Sequence, residues 1–375
     1  MLTLKEKISK NFINSIGWNC KQKYLIIESD DWGSVRMPSK EVFNVLKKNN
    51  IAVDRYSFDR NDSVESEEDL NALFDTLTQF KDISGNHPII TAYSVVTNPD
   101  FEKIEHTGRK EYHYETVLET YKRTEHTRMV PKIIQRAMAE TLFFPQYHGR
   151  EHIHMKRYME AINSNSEKEN LAFTHRAIIS AKSSTCTNGY TKDYFKGFAY
   201  SNTSEFVELE EIHRDGLKIF KEIYGFSSVS FVAQGGVWGD HILQMMAEEN
   251  VKLIGGQQQV PKLGGGYDTV NNYWGRKNKY DQIYWRRNCR FEPARNLKLD
   301  WINYCLAEIE IAFRWGKPAV ISSHRENFIG SIVKENRVNS LCKLEVLLTE
   351  ILKRWPDVHF ISTAQLAEIM LAEKR

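Results

Sequence analysis

Two hydrophobic periods alternate along this chain, and the switch from one to the other marks its elements. Short apolar, β-branched runs predict strands at "KYLIIE" (23–28), "HPIITAYSVV" (87–96), "LAFTHRAII" (171–179), "SVSFVA" (228–233), "VKLIGG" (251–256), "KPAVISSHR" (317–325) and "DVHFIST" (357–363). Helical spacing occupies the intervals. It opens with "LKEKISKNFINSIG", which stops at Gly17, then "SKEVFNVLKKNN" (39–50) behind a Ser39 N-cap and "SEEDLNALFDTLTQF" (66–80) with acids in its first turn. It returns in "REHIHMKRYMEAIN" (150–163), "SEFVELEEIHRDGLKIFKEIYG" (204–225) closed by Gly225, and "DHILQMMAEEN" (240–250). The last two helices are "LDWINYCLAEIEIAFRWG" (299–316) and "RVNSLCKLEVLLTEILKRW" (337–355). Two stretches keep neither period. Residues 100–145, polar and aromatic, are expected to run over the surface, and 181–204, rich in Ser, Thr, Gly and Tyr, to form a long loop.

Strand and helix thus alternate about seven times, with no Pro/Gly/Ser-rich linker and no internal repeat, which predicts an α/β chain with a mostly parallel sheet, barrel or doubly wound. Its length of 375 residues suits one α/β barrel domain over 1–375 with those two excursions. In either architecture chemistry gathers at the C-terminal ends of the strands.

Composition narrows the function classes. A formal net charge of +2, with acidic and basic residues mixed, gives no basic field for nucleic acid. Cys20, Cys186, Cys289, Cys305 and Cys342 are scattered and never form a C-x-x-C pair, against a disulfide framework or a thiolate zinc site. No stretch is apolar enough to span a bilayer, and the N-terminus lacks a signal-peptide pattern, so the expectation is a cytoplasmic protein. The glycine-rich "KLGGGYD" (262–268) lacks the Lys-Ser/Thr ending of a phosphate loop.

Three segments carry candidate chemistry. "ESDDWGS" (28–34) ends a buried strand on adjacent acids, Asp30 and Asp31, whose side chains should diverge by strand alternation. "HGREH" (148–152) places His148 and His152 at i and i+4, stacked on one face if helical, a spacing that suits two imidazoles on one metal ion; His154 falls off that face. With a strand-end carboxylate, two imidazoles make an open metal site that leaves room for water. "SSHR" (322–325) sets His324 at a strand end, where an imidazole of ordinary pKa about 6.5 can donate a proton. The bland alternatives are a solvated turn, two surface histidines and a strand-end cap; three such groups on separate strand ends weigh against them.

The order Asp-Asp, H-x-x-x-H, late Ser-His and terminal "HFIST" resembles the polysaccharide deacetylase family, the NodB-homology domain, from about residue 23 to 370. The resemblance implies an irregular seven-stranded (β/α) barrel of the glycoside hydrolase/deacetylase type. It implies Asp30 as general base, Asp31, His148 and His152 as ligands of a divalent ion, first of all zinc, and His324 as general acid. The implied activity is hydrolysis of an acyl group, N-acetyl before O-acyl, from a carbohydrate. Trp32 intrudes between the Asp pair and Gly33, and "SFVAQGGVWGD" lacks the arginine that in the family orients the base; Arg290, Arg325 and Arg36 are candidate substitutes.

Two rivals remain. "HGREH" also fits H-x-x-E-H of inverted zinc peptidases, with Glu151 as base and Glu208, Glu210 or Glu211 as third ligand. A catalytically inactive barrel would bind glycans through aromatics such as Tyr147, Trp238, Tyr267 and Trp274. The missing signal peptide, the long excursions and the altered "VAQGGVW" favour an acylated precursor sugar, nucleotide-linked or lipid-linked, over a finished wall polymer.

Overall fold

The computed structural model describes residues 2–180, 183, 193–262 and 266–372, so residues 181–182 and 184–192 of the expected long loop lie outside it. The strands are β1 (Lys23–Trp32), β2 (Ile90–Val95), the hairpin β3 (Thr97–Pro99) and β4 (Tyr114–Thr116), β5 (Phe143–Gly149), β6 (Ser230–Phe231) and β7 (Leu253–Gly255). There follow the hairpin β8 (Gln257–Pro261) and β9 (Tyr267–Asn271), then β10 (Ile283–Trp285), β11 (Cys289–Arg290), β12 (Ala319–His324) and β13 (Val358–Phe360).

One parallel sheet runs in the order β10-β7-β6-β5-β2-β1-β12-β11, and β13 pairs with the first residues of β1. Only residues 286–288 separate β10 from β11, so the two ends of this path lie side by side and the sheet rolls into an incomplete barrel. Asn288, in the link between these ends, is anchored to the start of β12: its Oδ1 accepts from Val320 N at 2.9 Å and its Nδ2 donates to Pro318 O at 2.9 Å.

Both faces of the sheet are buried, which is why β1 reads as a continuous apolar run. Leu25 and Ile27 point outward with Ile90, Phe143, Ala319 and Ile321 into the main core, whereas Ile26 points inward with Val320, Leu253 and Ile283. Helices Glu67–Leu77, Val130–Ala139, Trp301–Arg314 and Lys334–Arg354 cover the outer face. Each turns a stripe at i, i+3, i+4 spacing to the strands, as Leu70, Leu73, Phe74 and Leu77 do. Full burial of such a side chain contributes about 1.5–3 kcal/mol. Among the described residues no helix is long and apolar enough to cross a membrane.

Several elements depart from the sequence expectation. The stretch 100–145 is not a surface excursion throughout: Val117, Tyr121, Val130, Ile134 and Ala137 pack into the main core. Segment 171–179 is not a strand. The helix Glu167–Thr174 takes its place, started by Ser166, whose Oγ accepts from Glu169 N at 3.3 Å; a local cap decides where no sheet partner is offered. The sheet also contains β5, β10 and β11, short or Pro-containing segments whose apolar pattern is too brief to be seen.

Candidate active site

Inward-facing residues of β1 are Ile26, Glu28 and Asp30 by simple alternation, which would send Asp31 outward. A β-bulge prevents this. Between Ser29↔Ala92 and Trp32↔Ser94, β1 carries one residue more than β2, and Asp31 adopts φ 75°. Asp30 and Asp31 therefore line the same cavity, and Trp32 turns out into the core against Phe143. The expected divergence of the two carboxylates is thus corrected. Gly33 follows at φ 80°, donating to the Glu65 carboxylate at 3.0 Å; a Cβ there would lie 2.9 Å from Val117 and 3.1 Å from Val95 O. The intruding tryptophan is a core residue, and the glycine serves the turn behind it.

His148 and His152 are not on a helix. His148 is the last residue but one of strand β5, His152 lies in the turn after it, and the helix begins only at Met155. A second bulge, between Ser94↔Tyr147 and Val95↔Gly149, falls at His148. The two imidazoles nevertheless converge: His148 Nε2 and His152 Nε2 are 3.3 and 2.7 Å from Asp31 Oδ1. The turn is braced by Gln234, whose Nε2 donates to His148 O at 3.0 Å and Glu151 O at 2.8 Å. Gly149, at φ 141°, leaves room for that amide, because a Cβ would sit 2.3 Å from Gln234 Nε2. His148 Nδ1 bonds Val232 O at 2.8 Å. A carbonyl can only accept, so Nδ1 carries a proton, which leaves Nε2 as the atom that a metal ion would take. The altered third segment, "VAQGG", thus holds the histidines in place.

This donor set fits a divalent ion. The ligand atoms of Asp31, His148 and His152 all lie within 4.8 Å of one another, and all three residues are buried. At 3.3 and 2.7 Å, each Nε2 must share a cation, a proton or a metal ion, with the Asp31 oxygen. Burial opposes the charge on Asp31, yet the two histidines hold its pKa well below the usual carboxylate range. Burial keeps His152 below its ordinary pKa, the neutral form that a metal requires.

Asp30 is gripped by Arg287, an arginine outside the three sequence candidates. Its Nη1 and Nη2 meet the two Asp30 oxygens at 2.6 Å each, and its Nε donates to Glu28 Oε2 at 2.5 Å. Burial works against an ionised Asp30, but this fork wins and its pKa is lowered. Of the three candidates, Arg290 pairs with Glu308 at 3.2 Å, Arg325 is buried with Asp62 and Glu65 at 3.0 and 2.8 Å, and Arg36 is stacked on Phe195. His324 stands beside Asp30 because the parallel register pairs those two residues directly. Its Nε2 is 3.8 Å from Asp30 Oδ2 and its Nδ1 2.6 Å from Glu292 Oε1. Burial disfavours the imidazolium, but Glu292 outweighs it and the pKa is raised.

No family model matches the chain, and no curated protein matches it. Among solved structures it is similar to Puue allantoinase, at 12% identity over 94% of this chain and 91% of that one, with a TM-score of 0.46. It is similar to a Mycobacterium smegmatis protein named as a polysaccharide deacetylase, at 12% identity over 96% and 94%, TM-score 0.45. It is similar to the peptidoglycan deacetylase PdaC of Bacillus subtilis, at 9% identity over 94% of both chains, TM-score 0.36. Identity this low passes no residue role from one protein to another.

The rival readings meet physical obstacles. H-x-x-E-H needs a helix that is absent here, and Glu151 is occupied by Arg150 at 2.7 Å and Thr97 at 2.9 Å. Tyr147, Trp238 and Trp274 are buried in the core, leaving only Tyr267 of the four aromatics exposed. Arg287 and Glu292 were missed, though a signal for the first existed. Glu28 and Asp30, two residues apart on a buried strand, require a cation from a neighbouring strand end, and "RRN" (286–288) directly follows β10.

Proposed function

We propose that this chain is a divergent metal-dependent deacylase of the polysaccharide deacetylase type, removing an acyl group, N-acetyl first of all, from a carbohydrate. One observation carries the reading: at a single cavity a two-imidazole, one-carboxylate donor set adjoins an ionised carboxylate locked by arginine and an imidazole of raised pKa. Asp31, His148 and His152 would hold the ion, zinc by the character of these donors. When bound, such an ion lowers the pKa of water and polarises the acyl carbonyl.

Asp30 is the general base. Arg287 keeps it charged and fixes its plane, so it takes one proton from the attacking water. His324 is the general acid. Its Nδ1–H is held by Glu292, and Nε2–H delivers its proton to the leaving nitrogen. The C–N bond breaks, a C–O bond forms, and the products are a carboxylic acid and an amino sugar.

The test is acetate release by the metal-loaded protein from soluble N-acetylated sugars and from polymeric chitin and peptidoglycan. Asp30→Asn and His324→Ala are expected to lower turnover about 10²–10⁴-fold. Elemental analysis should find their metal content unchanged, whereas His148→Ala and His152→Ala lose it. Wild-type turnover in both acid–base variants overturns the assignment.

A further inference from the structure

The charge of the cavity differs from that of the chain. Around its ≈ 1140 Å³, eight lysine and arginine side chains stand against four carboxylates, although the whole sequence carries only +2. Most of these cations are paired within 4.0 Å: Arg287 with Glu28 and Asp30, Arg290 and Lys10 with Glu308, Arg295 with Glu326 and Lys196 with Asp193. Lys5 is exposed to water. Arg36 and Arg286 are neither well paired nor free in solvent.

Arg36 is 4% exposed. Its guanidinium lies 3.8 Å from the Phe195 ring centroid and 4.9 Å from that of Phe58, so its faces are covered by aromatics. Its edge is not satisfied. Among the described residues Nε has no hydrogen-bond partner. The nearest carboxylate, Asp62, is 3.8 Å away, and both its oxygens already receive Arg325 at 3.0 Å. Burying a guanidinium without an acceptor is costly unless an anion completes it. The Phe195 ring also lies 5.8 Å from that of His152, so Arg36 stands next to the candidate metal ligands. Among the described residues Arg286, also on the cavity wall, meets only neutral oxygens, Asn272 O at 3.0 Å and Asn271 Oδ1 at 3.4 Å, and its Nε is unpartnered.

We propose that the substrate is an acylated sugar that also bears an anionic group, a carboxylate or a phosphate ester, and that Arg36 receives this group with Arg286 as a second cation. The inference rests on the deacylase reading for the acylated sugar but on Arg36 for the anion, and the two can fail separately.

The probes are N-acetylglucosamine, its 1- and 6-phosphates and the corresponding N-acetylated uronic acid. Their binding is measured calorimetrically on the full, metal-loaded chain carrying Asp30→Asn, so that turnover is slow on the time of the titration. At least one anionic sugar is expected to bind about tenfold tighter than the neutral one, with the advantage shrinking as salt rises. Phosphate and uronate arms tell the two sources apart. Adding Arg36→Gln should abolish the preference and leave neutral-sugar affinity unchanged, and Arg36→Lys should keep part of it. An anion held by the metal alone would keep its preference in Arg36→Gln and overturn the proposal, as would equal affinity for all four sugars. If Arg36→Gln does not fold, Arg286→Gln carries the test: a reduced preference supports the proposal and an unchanged one sinks it. Acetate release by the wild type then separates the readings. Anion preference without release from any probe refutes the deacylase, and equal release from neutral and anionic sugars refutes the anion site alone.

Discussion

Arg287 satisfies two buried carboxylates at once, and that double duty makes it a sensitive residue. Removing its charge leaves Glu28 and Asp30 without the guanidinium they share, so Arg287→Met is expected to cost about 3–5 kcal/mol of stability, read from denaturant unfolding. Arg287→Lys keeps a charge but loses the fork, so it should fold, retain metal by elemental analysis and lower turnover about 10²-fold. His324 offers a second test. Its raised pKa keeps the proton-donating form above the ordinary value of 6.5, so activity should fall on the alkaline side as pH rises through that raised pKa. In Glu292→Gln the opposing charge is gone and burial prevails, so the alkaline limb of the rate profile should move to lower pH. An unmoved limb would mean that another group sets it. The five side chains singled out from residue type and order (Asp30, Asp31, His148, His152 and His324) do meet at one cavity. Of their partners, Arg287 is signalled only indirectly, by two acids on a buried strand, and Glu292 not at all, because a pairing across strands depends on register, which a single sequence does not print.

At the scale of elements, the site is made by irregularity. Bulges at Asp31 and His148 interrupt two neighbouring parallel ladders at their C-terminal ends, and the one in β1 turns Asp31 inward, where alternation alone would misplace it. Hydrophobic periodicity located β1 and β12, whose runs are long and apolar, but not β5, where Pro145 and the polar Gln146 interrupt the run. That gap is also why "HGREH" was assigned to a helix. With β5 unseen, the only periodic segment nearby was the helix that in fact begins at Met155. Gln234 takes over part of the work a helix would have done, tying two carbonyls of the turn together. Gln234→Ala is therefore expected to loosen His148 and His152 and to weaken metal affinity about 10–100-fold, measured by competition with a chromophoric chelator. Unchanged affinity would show that the turn holds itself.

For the molecule as a whole, the two ends of the sheet are joined by the chain itself, through residues 286–288, rather than by a ladder. Asn288, in the short link between β10 and β11, makes three hydrogen bonds at 2.9 Å that fix it to the β12 side, to Asn14, Pro318 and Val320. Asn288→Ala should cost about 3 kcal/mol, seen as a lower denaturation midpoint. The candidate metal site ties strand ends together within the sheet. Asp31 belongs to β1, His148 to β5, and β2 lies between them in the sheet. In the unfolded chain these ligands are far apart, so an ion held by all three binds the native state alone and stabilises it by mass action. At a hundredfold excess over Kd that amounts to about 2.7 kcal/mol. A chelator should therefore lower the thermal midpoint of the wild type by a few degrees, and added zinc should restore it. Hydrogen exchange should slow on zinc addition at residues 31–33 and 148–152, where the strand ends are tied, and much less at Asn288. In His148→Ala both responses should vanish while the unliganded fold persists. Equal midpoints for chelated and zinc-loaded wild type would mean that no ion bridges β1 and β5, and the hydrolytic reading would lose its water-activating centre.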